Sequence, residues 1–186
     1  MKLNVLGKIL ESDKKAVAVV GSRKMTQKGK TLTEKFVKEL VKNNITIVSG
    51  LARGIDTIAH TVALENAGRT IAVIGSGIDI IYPPENNILA QKISKSGAVV
   101  SPFPNGTAPL GKNFLARNKI IVELSKAVLV IEGEERSGTL STASHAANLG
   151  VEVFAVSGSP ATNWLIEEGV NSVQSVDEII EYMNRL

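Results

Sequence analysis

Five short apolar runs, each ending in a polar turn that carries glycine, constrain this chain more than any other feature. They read AVAVVGSRK (16–24), ITIVSGLARG (45–54), TIAVIGSG (70–77), AVLVIEGEERSG (127–138) and EVFAVSGSP (152–160). Four or five consecutive small or β-branched apolar residues, bounded by turn residues, predict strands buried on both faces, over 16–20, 45–49, 70–74, 127–131 and 152–156. A further strand is expected over 98–101. Between the runs the period changes to that of a helix. Over 26–43, Leu32, Phe36, Val37, Leu40 and Val41 recur at spacings of three and four with lysines among them, which predicts an amphipathic helix. Helices are likewise expected over 55–66, 83–93, 114–124 and 139–149. The last residues predict a short helix from 163, a brief strand over 172–174 and a closing helix from 176. Residues 1–13 have short apolar spacing that predicts a helical turn or two. Strands alternating with helices imply an α/β fold: an open, doubly wound, mostly parallel sheet in three α/β/α layers. In such a sheet the polar turns gather at the carboxyl ends of the strands, where ligands bind.

The chain has 186 residues, 44% of them hydrophobic, enough for one well-packed domain over 1–186, with 1–15 as an N-terminal extension and 161–186 as a C-terminal strand and helix appendage. The absence of cysteine excludes disulfide frameworks and thiolate metal sites. No run approaches the ~18 apolar residues of a membrane span, and the first residues lack a signal-peptide core, so a cytoplasmic protein without membrane contact is expected. The net charge of +3 is unevenly spread. Residues 1–56 hold twelve Lys and Arg against five Asp and Glu, and residues 57–186 hold nine against thirteen. A basic concentration of this kind suits a polyanion.

The turn Gly21-Ser22-Arg23, followed by Lys24, places a hydroxyl and two cations between a strand and a helix, an arrangement for binding an anion. Arg53, Lys112, Arg117 and Arg136 fall in or beside other rim turns. Neither G-x-G-x-x-G nor G-x-x-x-x-G-K-[ST] occurs, which disfavours dinucleotide binding and ATP hydrolysis, and no cofactor is expected. His60 and His145 sit inside predicted helices without metal-ligand spacing and are read as satisfied packing residues; no metal site is expected. Asp56 and Asp79 are read as helix caps, and Glu132 as a rim carboxylate. Ser137, Ser141 and Thr142 have no paired base, so no catalytic residue is assigned. Trp164 is read as a packing residue. Phe114, after a Pro/Gly-rich loop (102–112) and beside Lys112, is placed to stack on a nucleobase, or else to pack at a helix start.

These residues also form five motifs in order: GSR at 21–23, SGLARGID at 49–56 with Ala59-His60, G-x-D-x-x-YPPEN at 77–86, F-x-x-RN-x-II at 114–121 and RSG-x-L-x-TA at 136–143. In them the chain resembles the DNA-processing protein A family, also called DprA or Smf, over residues 16–160. The resemblance implies an extended Rossmann-like domain that binds and protects single-stranded DNA and helps load the recombinase RecA in natural transformation. It also implies a homodimer. It would make Gly21, Ser22 and Arg23 the phosphate contact, Lys112 a backbone clamp and Phe114 the stacking ring. Lys24, Arg53, Asn113, Arg117, Asn118, Arg136, Ser137, Gly138 and Thr139 would complete the surface. Many members carry a helical domain before this part and a winged-helix-like domain after it, for which these 186 residues leave no room. The usual PG after the sixth strand is here Ser157-Gly158.

Two other readings use the same rim. LOG-type phosphoribohydrolases cleave nucleoside monophosphates with a P-G-G-x-G-T-x-x-E signature, but here Thr142 stands where the catalytic glutamate would be, so an enzyme is disfavoured. A nucleotide-sensing protein would use the pocket without chemistry.

Overall fold

The runs pair side by side because their backbone N–H and C=O groups, buried with their apolar side chains, need partners. The computed structural model describes residues 3–134 and 138–186. Its strands are β1 (Asn4–Gly7), β2 (Ala16–Val20), β3 (Thr46–Ser49), β4 (Thr70–Val73), β5 (Ala98–Ser101), β6 (Ala127–Val130), β7 (Glu152–Ala155) and β8 (Asn171–Ser172). Its helices are α1 (Gln27–Lys42), α2 (Ile55–Glu65), α3 (Asn87–Ser96), α4 (Gly111–Glu123), α5 (Gly138–Leu149), α6 (Pro160–Glu167) and α7 (Val176–Arg185). One sheet runs β1-β5-β4-β3-β2-β6-β7-β8, parallel throughout except for β1, which lies antiparallel to β5 with Asn4 opposite Ser101.

The period of two assigns the faces. Val17 and Val19 point to the layer of α1, α2 and α7, where they meet Phe36, Leu40, Ile55 and Ile179. Ala16, Ala18 and Val20 point to the opposite layer, against Ile120, Ile121 and Ala143 of α4 and α5 and Leu165 of α6. Ala90 and Ile93 of α3 cover Ala72 and Val99 of β4 and β5, beside α2. The three layers are those expected from the alternation of elements.

The differences lie at the ends. Residues 4–7 form a strand, not a helical turn, because the outer edge of β5 offers unpaired backbone groups that a helix would leave bare; a 3-10 turn, Glu11–Lys14, follows. A 3-10 turn (Pro84–Asn86) precedes α3, so the segment after the two prolines is broken rather than one helix. Helix α4 begins at Gly111, three residues before the position expected, with the Leu110 carbonyl accepting from the Asn113 N–H at 2.9 Å. Lys112 and Asn113 therefore belong to its first turn.

Strand order decides where a ligand can sit. The chain lays down β2, β3, β4 and β5 outward on one side, then returns to place β6 beside β2 and continues to β7 and β8. The turns after β2 and β6 thus leave the sheet on opposite sides, and a crevice opens between them.

Candidate nucleic-acid interface

A cleft of about 730 Å³ occupies that crevice. One wall is the turn after β2. The Ser22 hydroxyl accepts from the Lys24 N–H at 3.0 Å, and the Ser22 carbonyl accepts from the Ile55 N–H at 3.1 Å, which ties this turn to the start of α2. Gly54 makes the tie possible: its φ is 74°, and a Cβ there would lie 2.2 Å from the Ser22 oxygen. Arg23 and Lys24 remain exposed beside the cleft. The opposite wall comes from α4 and α5 through Phe114, Leu115, Asn118, Gly138, Thr139 and Thr142. The Asn118 amide donates to the Gly138 carbonyl at 3.1 Å and joins the two helices there.

Arg117 and Asp56 form the floor. Both are buried. The Arg117 guanidinium donates to the Gly50 and Val73 carbonyls, at the ends of β3 and β4, and its Nε has no partner among the described residues. Burial lowers its pKa to about 10 against the opposing pull of Asp56, and Arg23 adds to the lowering. Asp56 accepts from the Gly50 and Ala52 N–H groups at 3.1 and 3.3 Å, and burial raises its pKa although Arg117 and these donors oppose the shift. The two side chains meet over Gly50, where a Cβ would fall 2.2 Å from Arg117 Nη1 and 2.7 Å from Asp56 Oδ2. Arg117 is therefore the support of the rim, where the sequence reading placed a binding cation.

Phe114 stands at the cleft mouth, half-buried, with its ring edge over Gly75. The Arg23 guanidinium carbon lies 5.3 Å from its ring centroid and that of Arg117 5.9 Å, both within cation–π range. A small recess adjoins it, lined by Arg23, Gly50, Ala52, Arg53, Tyr82, Pro83, Phe114 and Arg117.

The cleft thus gathers Gly21, Ser22, Arg23, Lys24, Phe114, Arg117, Asn118, Gly138 and Thr139 from the residues anticipated. Arg53 sits in the recess, where its exposed guanidinium is ion-paired with Glu85. Lys112 is exposed on the first turn of α4, outside the cleft lining. Asn113 points away: its amide donates to the Ala108 carbonyl at 3.0 Å and fastens the preceding loop. Arg136 and Ser137 lie outside the described residues.

Four further readings change. Glu132 is buried behind the rim, where its carboxylate accepts from the Thr26 N–H (2.8 Å) and hydroxyl (2.7 Å), while the Thr26 side chain caps α1 by accepting from the Gly29 N–H. The N-terminus of α1, expected to hold the ligand's anion, is already occupied by a protein carboxylate. Asp56 and Asp79 are not caps: the N-cap of α2 is Gly54, without a side-chain hydrogen bond, and Asp79 accepts from the Gly106 N–H at 2.9 Å in the long loop. His60 is fully buried with Nδ1 2.7 Å from the Thr70 hydroxyl and Nε2 without a partner among the described residues, so it is only half satisfied there; burial first, then the Arg117 charge, lowers its pKa to about 3. Trp164 is 46% exposed because α6 turns Ala161, Thr162 and Leu165 inward and leaves it on the outer side. The sequence reading missed Glu134, Leu115 and Tyr82, of which only Tyr82 carried a signal, its place in the YPPEN motif. Among the described residues no cluster of three metal-ligating side chains occurs, and no helix is long and apolar enough to cross a membrane.

The family model described as DNA recombination-mediator protein A matches residues 1–184. The chain belongs to this family. It is 48% identical over 144 residues to the Smf protein of Synechocystis, covering 77% of this chain and 36% of that one. The X-ray structure of DNA processing protein A from Streptococcus pneumoniae superposes with a TM-score of 0.90 at 42% identity, covering 96% of this chain and 65% of that one. A structure of DNA processing protein A from Helicobacter pylori, described for its single-stranded DNA binding mode, superposes with a TM-score of 0.89 at 30% identity, covering 98% and 86%. The two DNA processing protein A structures thus share the α/β/α layer arrangement, while the chain spans 36% to 60% of the first curated relatives' length. The motifs that carry the resemblance, GSR, SGLARGID, YPPEN and F-x-x-RN, are the segments that build the cleft and its recess.

Proposed function

We propose that the cleft binds single-stranded DNA, as a step in DNA processing and recombination rather than in catalysis. The observation that carries this reading is the mouth of the cleft, where exposed Arg23 and Lys24 flank the half-exposed ring of Phe114. Cations beside an aromatic ring serve a single strand, whose phosphates need neutralising and whose unpaired bases have free faces to stack. Gly21 and Ser22 shape the turn that presents Arg23, and Lys112, exposed two residues before the ring at the start of α4, extends the charge along the strand. The relative from Helicobacter pylori described for binding such a strand supports the assignment. Protection of the strand, cooperation with a RecA-type recombinase and homodimerisation belong to the same proposal, and the description of the family as a recombination mediator supports the second of these.

The phosphoribohydrolase alternative has less support. Thr142, where its catalytic carboxylate would stand, is buried in the cleft wall with its hydroxyl 3.4 Å from the Gly138 carbonyl. Labelled oligonucleotides titrated at two salt concentrations test the binding reading. Single strands should bind with little sequence preference and weaken as salt rises, with a logarithmic slope of about −0.7 per phosphate neutralised. Arg23→Ala and Lys112→Ala should each lower the affinity and flatten the slope by about that amount. Weak, salt-insensitive binding that is equal for single and double strands would remove the proposal, and release of base from AMP would revive the enzyme.

A further inference from the structure

We infer that Tyr82 is a second base-stacking residue, which together with Phe114 forms a two-ring platform leading from the cleft mouth over the recess beside Arg53. The inference rests on the single-strand reading and extends it to a residue outside the five rim turns.

The two rings are 5.8 Å apart between centroids and tilted by 36°. That separation leaves no room for a base between them, so they present a continuous bent surface whose outer side can meet successive bases. Tyr82 is 37% exposed, whereas Phe36 and Phe154 are buried. Its neighbours make the exposure purposeful. The recess it lines also holds Arg23, Arg53 and Arg117, so the aromatic surface is bordered by guanidinium groups. Arg53 is exposed and is held by Glu85 on the turn that follows Tyr82. A base on Tyr82 would therefore place its phosphate near Arg53, just as a base on Phe114 would place its phosphate near Arg23.

The Arg23 contact with Phe114 adds a second consequence. The guanidinium lies over the ring at 5.3 Å, in the space a stacked base needs. A base arriving on Phe114 displaces Arg23 from the ring, and the released cation, still anchored through the turn at Ser22, is then available to the adjoining phosphate. Among the described residues no cation lies over the Tyr82 ring, so it is the open end of the platform.

The experiment uses the full chain with oligothymidylate carrying single 5-iodouracil substitutions, irradiated in complex and mapped by mass spectrometry, beside affinity measurements on Tyr82→Phe, Tyr82→Leu and Phe114→Leu. The inference expects crosslinks to Tyr82 as well as Phe114. It expects Tyr82→Phe to bind like the parent, and Tyr82→Leu to bind about fivefold to a hundredfold more weakly, the range for loss of one base–aromatic stack. The salt slope should stay unchanged in both, because no phosphate contact is removed. If Phe114→Leu weakens binding while Tyr82→Leu binds like the parent and no crosslink reaches Tyr82, the platform is overturned and the single-strand reading survives. If the parent protein fails to bind the strand, both fall together. A Tyr82→Leu defect accompanied by a lower melting temperature and no crosslink would also overturn the inference, since it marks a packing role.

Discussion

Arg117 and His60 show why a residue's type tells less than its surroundings. An arginine in a rim motif suits phosphate, yet Arg117 is buried, and its guanidinium joins carbonyls of Gly50 and Val73 at the ends of two strands. A charge placed there is held by carbonyl dipoles and by Asp56, and its removal would leave that carboxylate buried without a counter-charge. His60 lies in the range of the same charge. Its pKa of about 3 in the fold lies below the ordinary 6.5, because burial and Arg117 both disfavour the imidazolium. Between those two values the unfolded chain binds a proton that the folded chain refuses. Stability from this residue is therefore complete above pH 6.5 and declines as the pH falls below it, by up to roughly 1.4 kcal/mol per pH unit. Urea unfolding at steps from pH 7.5 to pH 5 should show this decline, and His60→Asn should flatten it. A variant as steep as the parent over that window would mean that the decline arises elsewhere.

At the scale of elements, β1 and the turn behind it are held by one ion pair. Arg69, just before β4, donates through Nε and Nη2 to both Asp13 oxygens at 2.7 and 2.8 Å, and also to the Ser96 and Lys8 carbonyls at 2.8 Å. Asp13 further accepts from the Leu10 N–H and the Thr46 hydroxyl. Burial alone would raise the Asp13 pKa, but these donors outweigh it and hold the carboxyl below its ordinary 3.8. The stabilisation is therefore present above about pH 4 and is lost as the pH falls through the lower value in the fold. Arg69→Met should cost about 3 kcal/mol at pH 7, because the buried carboxylate loses its partner. Urea unfolding should show the gap between variant and parent narrowing as the pH is lowered below 3.8 and Asp13 takes up its proton; a gap unchanged by acid would mean that the arginine acts through packing alone. None of this clamp is visible in the sequence, since Asp13 and Arg69 lie 56 residues apart. The central strands and most helices were legible because burial on both faces demands unbroken apolar runs, and the amphipathic helices demand a 3.6 period. The cleft was legible because each of its turns follows such a run. What stayed hidden were contacts between distant turns: Glu132 with Thr26, Arg117 with Gly50, Tyr82 with Phe114. In each the residue's chemistry was plain and its partner was not.

Across the whole molecule the uneven charge and the crevice between the turns after β2 and β6 would act on the proposed single strand at different distances. Residues 1–56, with their basic excess, supply β2, its turn and α1, so the positive side of the molecule includes one wall of the cleft. On α1, Lys35 and Lys38 are exposed and lie outside the lining of the cleft, whereas Lys30 and Lys42 are ion-paired with Glu34 and Glu39. Charges at such a distance steer an approaching polyanion without touching it once bound. The Debye length of about 8 Å at physiological ionic strength limits that reach, so steering fades with added salt. Lys35→Glu with Lys38→Glu should therefore slow association with a single-stranded oligonucleotide several-fold at low salt and leave the dissociation rate nearly unchanged. The difference in association should disappear by about 0.5 M salt, whereas Arg23→Ala should act mainly by speeding dissociation at every salt concentration, since it removes a contact made in the complex. Stopped-flow mixing and competitor chase separate the two rates. Faster dissociation in the double lysine variant would place α1 on the strand itself and widen the interface beyond the cleft.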